Sequence, residues 1–160
     1  MILKYSPTYK ITIDNVDLNF NEERLLVRTK LNREYEEENE IIQLGVGKKP
    51  IHQRRDIYKE KNTAESFYFL NYNVNDLLTE VEVHQCDHIE VLGFSFSFND
   101  ELDEIALKLS DHSEISIISE GEIYFKDLKM CICDNREKWE VRETLLPISI
   151  AHLTQHIWIN

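Results

Sequence analysis

The chain has 160 residues and a formal net charge of −12, from 30 acidic against 18 basic side chains. This length suits one ordinary domain or two small ones and can bury roughly two-thirds of the unfolded surface. The acidic balance argues against nucleic acid as a direct ligand, because phosphate contacts need clustered Lys and Arg. It favours a basic protein partner, since net charge steers encounters.

The sequence predicts neither export nor membrane insertion. Residues 1–7 are too short for the apolar core of an export signal, and no apolar run reaches membrane-spanning length. The cysteines are odd in number, and Cys131 and Cys133 lie two residues apart on a predicted strand, too far apart for an unstrained disulfide. Reduced thiols indicate a cytoplasmic protein.

The first elements are strands followed by a helix. Residues 9–13 alternate apolar with polar, a turn follows at 14–15, and residues 16–20 form the next strand. A helix up to residue 31 would have Arg24 and Arg28 where apolar residues are expected. The segment is therefore either a helix with a rotated stripe or a strand. The rotated stripe would comprise Leu25, Leu26, Val27 and Leu31.

Residues 33–50 are predicted as exposed connections. Glu36, Glu37 and Glu38 are typical of a solvated loop or helix end, with the alternative that they mimic phosphates towards a basic active site. Residues 45–49 contain the only glycine-rich stretch, but they lack the Gly-Lys-Ser/Thr ending and the spacer of a phosphate loop.

The middle of the chain is predicted to be a three-stranded antiparallel meander, with strands at 55–59, 66–72 and 77–84. Val81 and Val83 face the core, so Glu80, Glu82 and His84 share the opposite face. One row of the 66–72 strand flanks these acids with aromatic side chains.

A second strand-helix unit spans residues 93–109. Phe94, Phe96 and Phe98 alternate as in a strand, and Asn99 is the expected helix N-cap. The helix then shows the apolar stripe of an element lying on a sheet. Its members are Leu102, Ile105, Ala106 and Leu109.

The remaining chain is predicted to be mostly strand. Residues 115–125 form a hairpin, 128–133 a strand, 138–144 another strand, and 148–158 a last strand or short helix.

The two strand-helix units align at an offset of 78 residues, with identities at the cap and the helix end. The predicted fold is therefore α+β, with two tandem related strand-helix-meander halves, 1–88 and 89–160, packed as one unit. Each half would have an antiparallel sheet covered by one helix. The recurring residues are Phe20, Asn21, Glu23, Lys30 and Leu31.

The order of motifs resembles the small repeat of the β-lactamase-inhibitor proteins and of the outer-membrane assembly lipoprotein E domain. The motifs are a helix opening with Asn-Glu-Glu, Arg-x-x-x-Tyr at 54–58, Phe-Tyr-Phe-x-x-Tyr at 67–72 and Glu-Val-Glu-Val at 80–83. The chain is also similar to small bacterial proteins with two such halves, some of them immunity partners of toxins. The resemblance implies this fold and a binding role; the chain lacks the family's lipoprotein and paired cysteines.

Three residues at a strand end are candidate metal ligands. His84, Cys86 and His88 could hold zinc with a further ligand from a neighbouring strand, such as Cys131 or Cys133, or could simply pack beside a bend. No Gly-x-Ser-x-Gly elbow or activated cysteine indicates an enzyme. We expect no cofactor.

The sequence therefore predicts a non-enzymatic acidic protein-binding module, foremost an immunity protein that neutralises a basic toxin such as a nuclease. The alternatives are a small metal-binding protein or enzyme that uses His84 and His88, and a structural subunit. Aromatic anchors beside acids are typical of a protein interface. The expected partner-binding residues are Tyr68, Tyr72, Glu80, Glu82, His84, Glu36, Glu37 and Glu38.

Overall fold

The structure is a computed structural model that describes residues 1–6, 10–45, 47–59, 67–119, 121–133 and 156–159. These residues form thirteen strands and two helices, which confirms the predicted α+β class. The strands are β1 Ile2–Ser6, β2 Lys10–Ile13, β3 Val16–Asn19, β4 Glu36–Ile42, β5 Ile51–Lys59, β6 Phe67–Tyr72, β7 Leu78–Gln85, β8 His88–Val91, β9 Phe94–Phe96, β10 Ile115–Ser119, β11 Glu122–Phe125, β12 Met130–Cys133 and β13 His156–Ile159. The helices are α1 Arg24–Leu31 and α2 Leu102–Leu109.

The strands build two sheets. One has five strands in the order β3-β2-β1-β8-β9, antiparallel except for the parallel pair β1–β8. The other has eight antiparallel strands in the order β10-β11-β12-β13-β7-β6-β5-β4. Both sheets contain strands from each side of the predicted boundary after residue 88, because β1 pairs with β8 and β7 pairs with β13.

Two tight hairpins flank β1 in the five-stranded sheet. The turn residues Asp14 and Asn15 have φ of 45° and 73°, and Leu92 and Gly93 have φ of 52° and 85°. Two successive left-handed residues match the twist of the flanking strands, and Asn and Gly tolerate this conformation best. The hairpins β2–β3 and β8–β9, like the helices α1 and α2, begin 78 residues apart.

The core lies between the two sheets and the helices. Alternate residues of both sheets are fully buried, among them Leu3 and Ile11 in the five-stranded sheet and Leu70 and Val81 in the eight-stranded sheet. The Tyr5 hydroxyl donates a buried hydrogen bond of 2.6 Å to the Leu128 carbonyl, which joins the two layers.

Helix α2 follows the predicted stripe. Ile105 and Leu109 are buried, and Leu102 and Ala106 pack partly buried against the core. The N-cap, however, is Glu101 rather than Asn99, and it makes no side-chain capping bond. The preceding turn is closed instead by the carboxylate of Asp100, which accepts a 2.9 Å bond from the backbone N–H of Ser97 and so delays the helix start.

Helix α1 is a helix, but its predicted rotated stripe is wrong. Leu25 and Leu26 are 73% and 46% exposed, whereas Val27 and Leu31 are buried. The buried side is completed by Arg24 and Arg28, at the positions that Leu102 and Ala106 occupy in α2.

The buried arginines of α1 are matched by a buried carboxylate on β5. Asp56 is 0% exposed and accepts bonds from Arg24 Nε and Nη2 at 3.0 and 2.6 Å. It also accepts bonds from Arg28 Nε and Nη2 at 2.8 and 2.7 Å. Burial alone would raise the pKa of Asp56, but the hydrogen bonds from Arg28 and Arg24 outweigh it and hold the pKa below its ordinary value. The ion pairs thus replace apolar contacts between α1 and the sheet.

The acidic segment predicted as a loop or helix end is the edge strand β4. Cross-strand pairing explains the difference, because β5 supplies cations opposite the glutamates: Glu36 Oε2 lies 3.0 Å from Lys59 Nζ, and Glu38 pairs with Arg55. β5 pairs with β6 only from Arg55 to Lys59, so residues 39–45 and 47–54 project beyond β6. We call this projection the arm.

The C-terminal predictions mostly lie outside the described residues. This holds for the strand expected at 138–144 and for most of the segment 148–158. Its end is a strand, His156–Ile159.

Candidate functional site

The face of the eight-stranded sheet that points away from the core, the outer face, carries the predicted acidic row. Asn71 is paired with Glu80 and Phe69 with Glu82 in the register of β6 and β7. Phe69 is 8% exposed and lies outside the core cluster. The aromatic side chains beside the acids are therefore those of Phe67 and Phe69.

Tyr68 and Tyr72, which were expected to be partner-binding anchors, are core residues at 1% and 4% exposed. Both lie in the row of Leu70 on the core side of β6, so they cannot contact a partner on the outer face. The Tyr68 ring stacks on Tyr58 with centroids 5.0 Å apart, and burial raises the pKa of Tyr68 to about 12. The sequence contains one signal that separates the two faces: the row of Tyr68 and Tyr72 includes the apolar Leu70, whereas the opposite row includes the polar Asn71.

Glu80, Glu82 and His84 form a partly buried polar row on the outer face. Burial raises the pKa of Glu80, the amide of Asn71 opposes this through a 3.2 Å hydrogen bond, and the neighbouring charge of Glu82 adds to the rise. Glu82 Oε1 lies 2.9 Å from His84 Nε2. The imidazole packs 4.4 Å from the ring of Phe69, centroid to centroid, which fixes its orientation.

A groove of about 370 Å³ runs along this row and the base of the arm. Glu80 and Glu82 line one side, and Gln53 and Arg55 on β5 line the other. The guanidinium of Arg55 lies over the Phe69 ring, 4.4 Å from its centroid, and forms an ion pair with Glu38. The groove therefore has one wall with acidic side chains and an opposite wall on which the cation Arg55 is already paired.

The arm presents apolar side chains in a segment that the sequence predicts to be an exposed connection. Ile41 is 60% exposed, Ile51 49% and Leu44 44%, and the paired Ile42 is also exposed. Ile51 also lines the groove. The available signal is the group of apolar residues Ile41, Ile42 and Leu44 directly after the acidic residues 36–40, a combination that favours an exposed contact surface.

Three glutamates of β4, Glu36, Glu37 and Glu38, are already neutralised within the chain. Glu36 and Glu38 pair with β5 as described, and Glu37 Oε2 accepts a 2.6 Å bond from Arg28. The Arg28 guanidinium holds the pKa of Glu37 below its ordinary value. These residues act first as cross-strand ion pairs, which leaves little free charge with which to mimic a phosphate.

The structure does not bring His84, Cys86 and His88 together as metal ligands. His84 lies on the outer face, Cys86 is buried in the core after β7, and His88 begins β8 in the other sheet. Burial raises the pKa of the Cys86 thiol to about 12, which keeps it protonated. In the described part of the chain, one cluster has metal-ligand spacing: Glu122, Cys131 and Cys133.

That cluster also lies on the outer face, on β11 and β12. The cysteine Sγ atoms are 3.9 Å apart without a disulfide, and Cys131 Sγ is 3.7 Å from Glu122 Oε1. The hydrogen bond between the sulfurs lowers the pKa of Cys131 and raises that of Cys133. The two thiols thus share a face, as the strand prediction required.

No family model, curated protein or solved structure matches the chain. The resemblance to the β-lactamase-inhibitor proteins therefore stays a prediction. Neither helix in the described ranges is long and apolar enough to cross a bilayer.

Proposed function

We propose that the chain is a non-enzymatic protein-binding module that receives a cationic segment of a basic protein in the outer-face groove. The observation that carries this proposal is the position of Glu80 in the groove: its carboxylate is half-buried, with an amide for a hydrogen-bond partner and another carboxylate beside it. A Lys or Arg from a partner would compensate this charge at short range, and an Arg could do so with two parallel bonds.

Aromatic and apolar groups around the acids support a protein ligand. Phe67 and Phe69 flank the acidic row, and the arm offers Ile41 and Ile51 at its border. Large apolar side chains beside a few oriented polar groups are typical of interface cores. Nucleic acid is disfavoured, because several cations close to the groove are bound to the chain's own carboxylates, as in the pair of Arg54 with Asp76 at 2.7 Å.

The biological role that fits best is that of a cytoplasmic immunity protein against a basic toxin such as a nuclease. A net charge of −12 accelerates encounter with a cationic protein. The three free cysteines suit a reducing compartment.

We also infer that the fold arose by duplication of a hairpin-helix-meander unit. Support comes from the 78-residue offset of both hairpins and both helices and from the left-handed residues at both hairpin turns. The strand order adds to this, since the meanders β4–β7 and β10–β13 meet through their last strands.

The test of the binding proposal begins by cross-linking the full chain to its partner in the cytoplasm of the native host. The partner is then identified by mass spectrometry. With the purified pair, the variant E80Q/E82Q should associate more slowly at low salt and dissociate faster. The difference in association rate should shrink above about 0.1 M salt, where the Debye length is about 10 Å. If the partner is a toxin, E80Q/E82Q should also lose protection of co-expressing cells.

The matched control is D103N/E104Q, which removes the same two charges from exposed positions on α2. Equal effects of both double variants would show that net charge, and not the groove, governs association. Loss of binding in E36Q/E38Q alone would move the interface to β4. An acidic partner would contradict the proposal outright.

A further inference from the structure

The eight-stranded sheet has an open hydrogen-bonding edge at β4. This strand pairs with β5 on one side, and no strand of the described chain pairs with its other side. In an antiparallel pair, alternate residues turn both backbone groups to the same side, so about half of β4 offers N–H and C=O groups to a further strand. Such an edge is a template for strand addition unless something covers it or repels the incoming strand.

The side chains along this edge change in character from the base of the arm to its tip. The base is acidic, at residues 36–40. The next stretch is apolar, and both Ile41 and Leu44 are exposed. The tip then has Lys48 and Lys49, which are exposed and form no ion pair with a carboxylate of any described residue. The order along the edge is therefore acidic, apolar and basic.

This order is self-complementary for two copies of the chain. If two β4 edges pair antiparallel about a twofold axis, the tip of each arm lies beside the base of the other. Basic residues then meet acidic ones, and the two apolar stretches meet each other. Registers that oppose the two acidic bases directly would set like charges against each other, which is destabilising. The charge pattern therefore favours a second copy as the occupant and restricts the register.

The faces of the sheet restrict the register further. A twofold axis perpendicular to the sheet keeps each face on its own side, so opposed residues must share a face and differ by an even number of positions. The register with Ile42 on the axis meets this condition, because it opposes Ile42 to itself and brings Leu44 level with Glu40 of the other copy. Lys48 donates a 3.3 Å backbone hydrogen bond to the Gly45 carbonyl, which places it close to Glu40 of the other copy.

We propose that β4 and the arm form a homodimer interface, in which the β4 edges of two copies pair antiparallel about Ile42 and join the two sheets into one. Glu40 supports this register, because it is exposed and, unlike the three glutamates before it, forms no ion pair with a described residue. Each Lys48 neutralises Glu40 of the other copy, and the apolar side chains at the axis leave water. The groove lies between β5 and β7, so the dimer can still receive a partner there.

The first experiment measures self-association of the purified full chain by sedimentation equilibrium. At about 0.15 M salt the Debye length is about 8 Å, which largely screens the repulsion between two net charges of −12. We expect a monomer–dimer equilibrium in the micromolar range, because a strand pair with a few apolar side chains is a small interface. Ile42→Asp sets two carboxylates against each other on the axis and should weaken the dimer by at least on the order of 100-fold. The matched control is Leu107→Asp, the same change at an exposed position on α2, which should leave the dimer unchanged.

An exchange of charges tests the register. Glu40→Lys and Lys48→Glu should each weaken the dimer by roughly 10-fold, because like charges then meet at two symmetry-related places. The double variant E40K/K48E restores opposite charges and should dimerise as the unaltered chain does.

A cross-link tests the axis. Opposed residues of an antiparallel pair have Cβ atoms about 4.5–5.5 Å apart, so I42C should give a covalent dimer with a short thiol-specific cross-linker. L107C should not, and the cysteines of the unaltered chain are buried.

Three results would overturn the assignment: a chain that stays monomeric at millimolar concentration, unchanged dimerisation of I42D, or no recovery in E40K/K48E. E80Q/E82Q should dimerise normally, because the groove lies outside this interface. Failure of the dimer and failure of the binding proposal are therefore distinguishable.

Discussion

Replacing Asp56 by Asn should destabilise the protein by about 3–5 kcal/mol, because it breaks a buried ion pair from one side only. The carboxylate is 0% exposed and accepts four hydrogen bonds, two each from Arg24 and Arg28. Their side chains are 6% and 18% exposed, so they would keep their charges with little water to solvate them. Domains of this size have free energies of unfolding of about 5–15 kcal/mol, so the loss would be a large fraction of the total.

The assay is urea unfolding followed by circular dichroism, with the midpoint and slope compared between D56N and the unaltered chain. Asp56 has a lowered pKa in the folded state, so its contribution is present above the unfolded pKa of about 3.9 and is lost as pH falls through the folded value. The difference between the two proteins should therefore be constant near neutral pH and shrink below about pH 4. A loss under about 1 kcal/mol at pH 7 would refute this account of the ion pairs.

The matched control removes all three charges together. R24L/R28A/D56V gives α1 the Leu and Ala that α2 carries at the same stripe positions. Replacing a complete buried ion cluster by apolar residues is often neutral or stabilising by about 1–4 kcal/mol, so this variant should be at least as stable as the unaltered chain. The arginines' other charged partners, Glu37 and Asp76, are 43% and 45% exposed and can be solvated by water.

Three further predictions concern single residues. Glu80→Gln should raise the urea midpoint at pH 7, because burial, with repulsion from Glu82, raises the pKa of Glu80 and so favours the neutral form in the folded state. This gain in stability should vanish below the unfolded pKa of about 4.3. An equal gain at pH 4 and pH 7 would contradict the prediction. Tyr58→Phe should leave thermal stability unchanged or raise it, because the buried hydroxyl has no hydrogen-bond partner among the described residues; a loss above about 1 kcal/mol would reveal a bond. Val27→Ala should lower the free energy of unfolding by about 2 kcal/mol and Leu25→Ala by less than about 0.5 kcal/mol, because Val27 is buried and Leu25 is exposed. The reverse order would support the rotated stripe.

Local periodicity was enough to predict α2 but not α1. In α2 the whole buried side is apolar, so the sequence of the helix alone identifies it. Its members are Leu102, Ile105, Ala106 and Leu109. In α1 two members of the same stripe are arginines, and nothing local shows that Asp56, 28 residues after Arg28, is the carboxylate that permits their burial. Long-range charge pairing cannot be seen in the sequence of one helix, so the local pattern indicates a stripe through Leu25 and Leu26.

The sequence predicts the outer face of β7 correctly. On β6, however, the predicted anchors Tyr68 and Tyr72 lie in the row that faces the core. Both rows of that strand are aromatic, so alternation alone could not separate Tyr68 and Tyr72 from Phe67 and Phe69. The decision rests on Leu70, whose row faces the core. Cross-strand partners, unknown from sequence, decided the rest: β4 is a strand because β5 supplies cations, and Glu122 reaches the cysteines only through hairpin register.

If the two halves arose by duplication, as proposed, the ion cluster under α1 would also keep α1 and α2 from docking in each other's place. If both helices had the same apolar stripe, α1 could dock where α2 belongs at little cost. With the charges present, exchange would bury Asp56 against Leu102 and Ala106 and strip the arginines of their carboxylate, an arrangement that costs several kcal/mol. The cluster thus assigns each helix to its own site by penalising the alternative, at some expense of stability. R24L/R28A/D56V should therefore be stable yet less uniquely folded, with more than one set of amide resonances for α1 in its NMR spectrum; a single set would show that connection lengths alone enforce the correct docking.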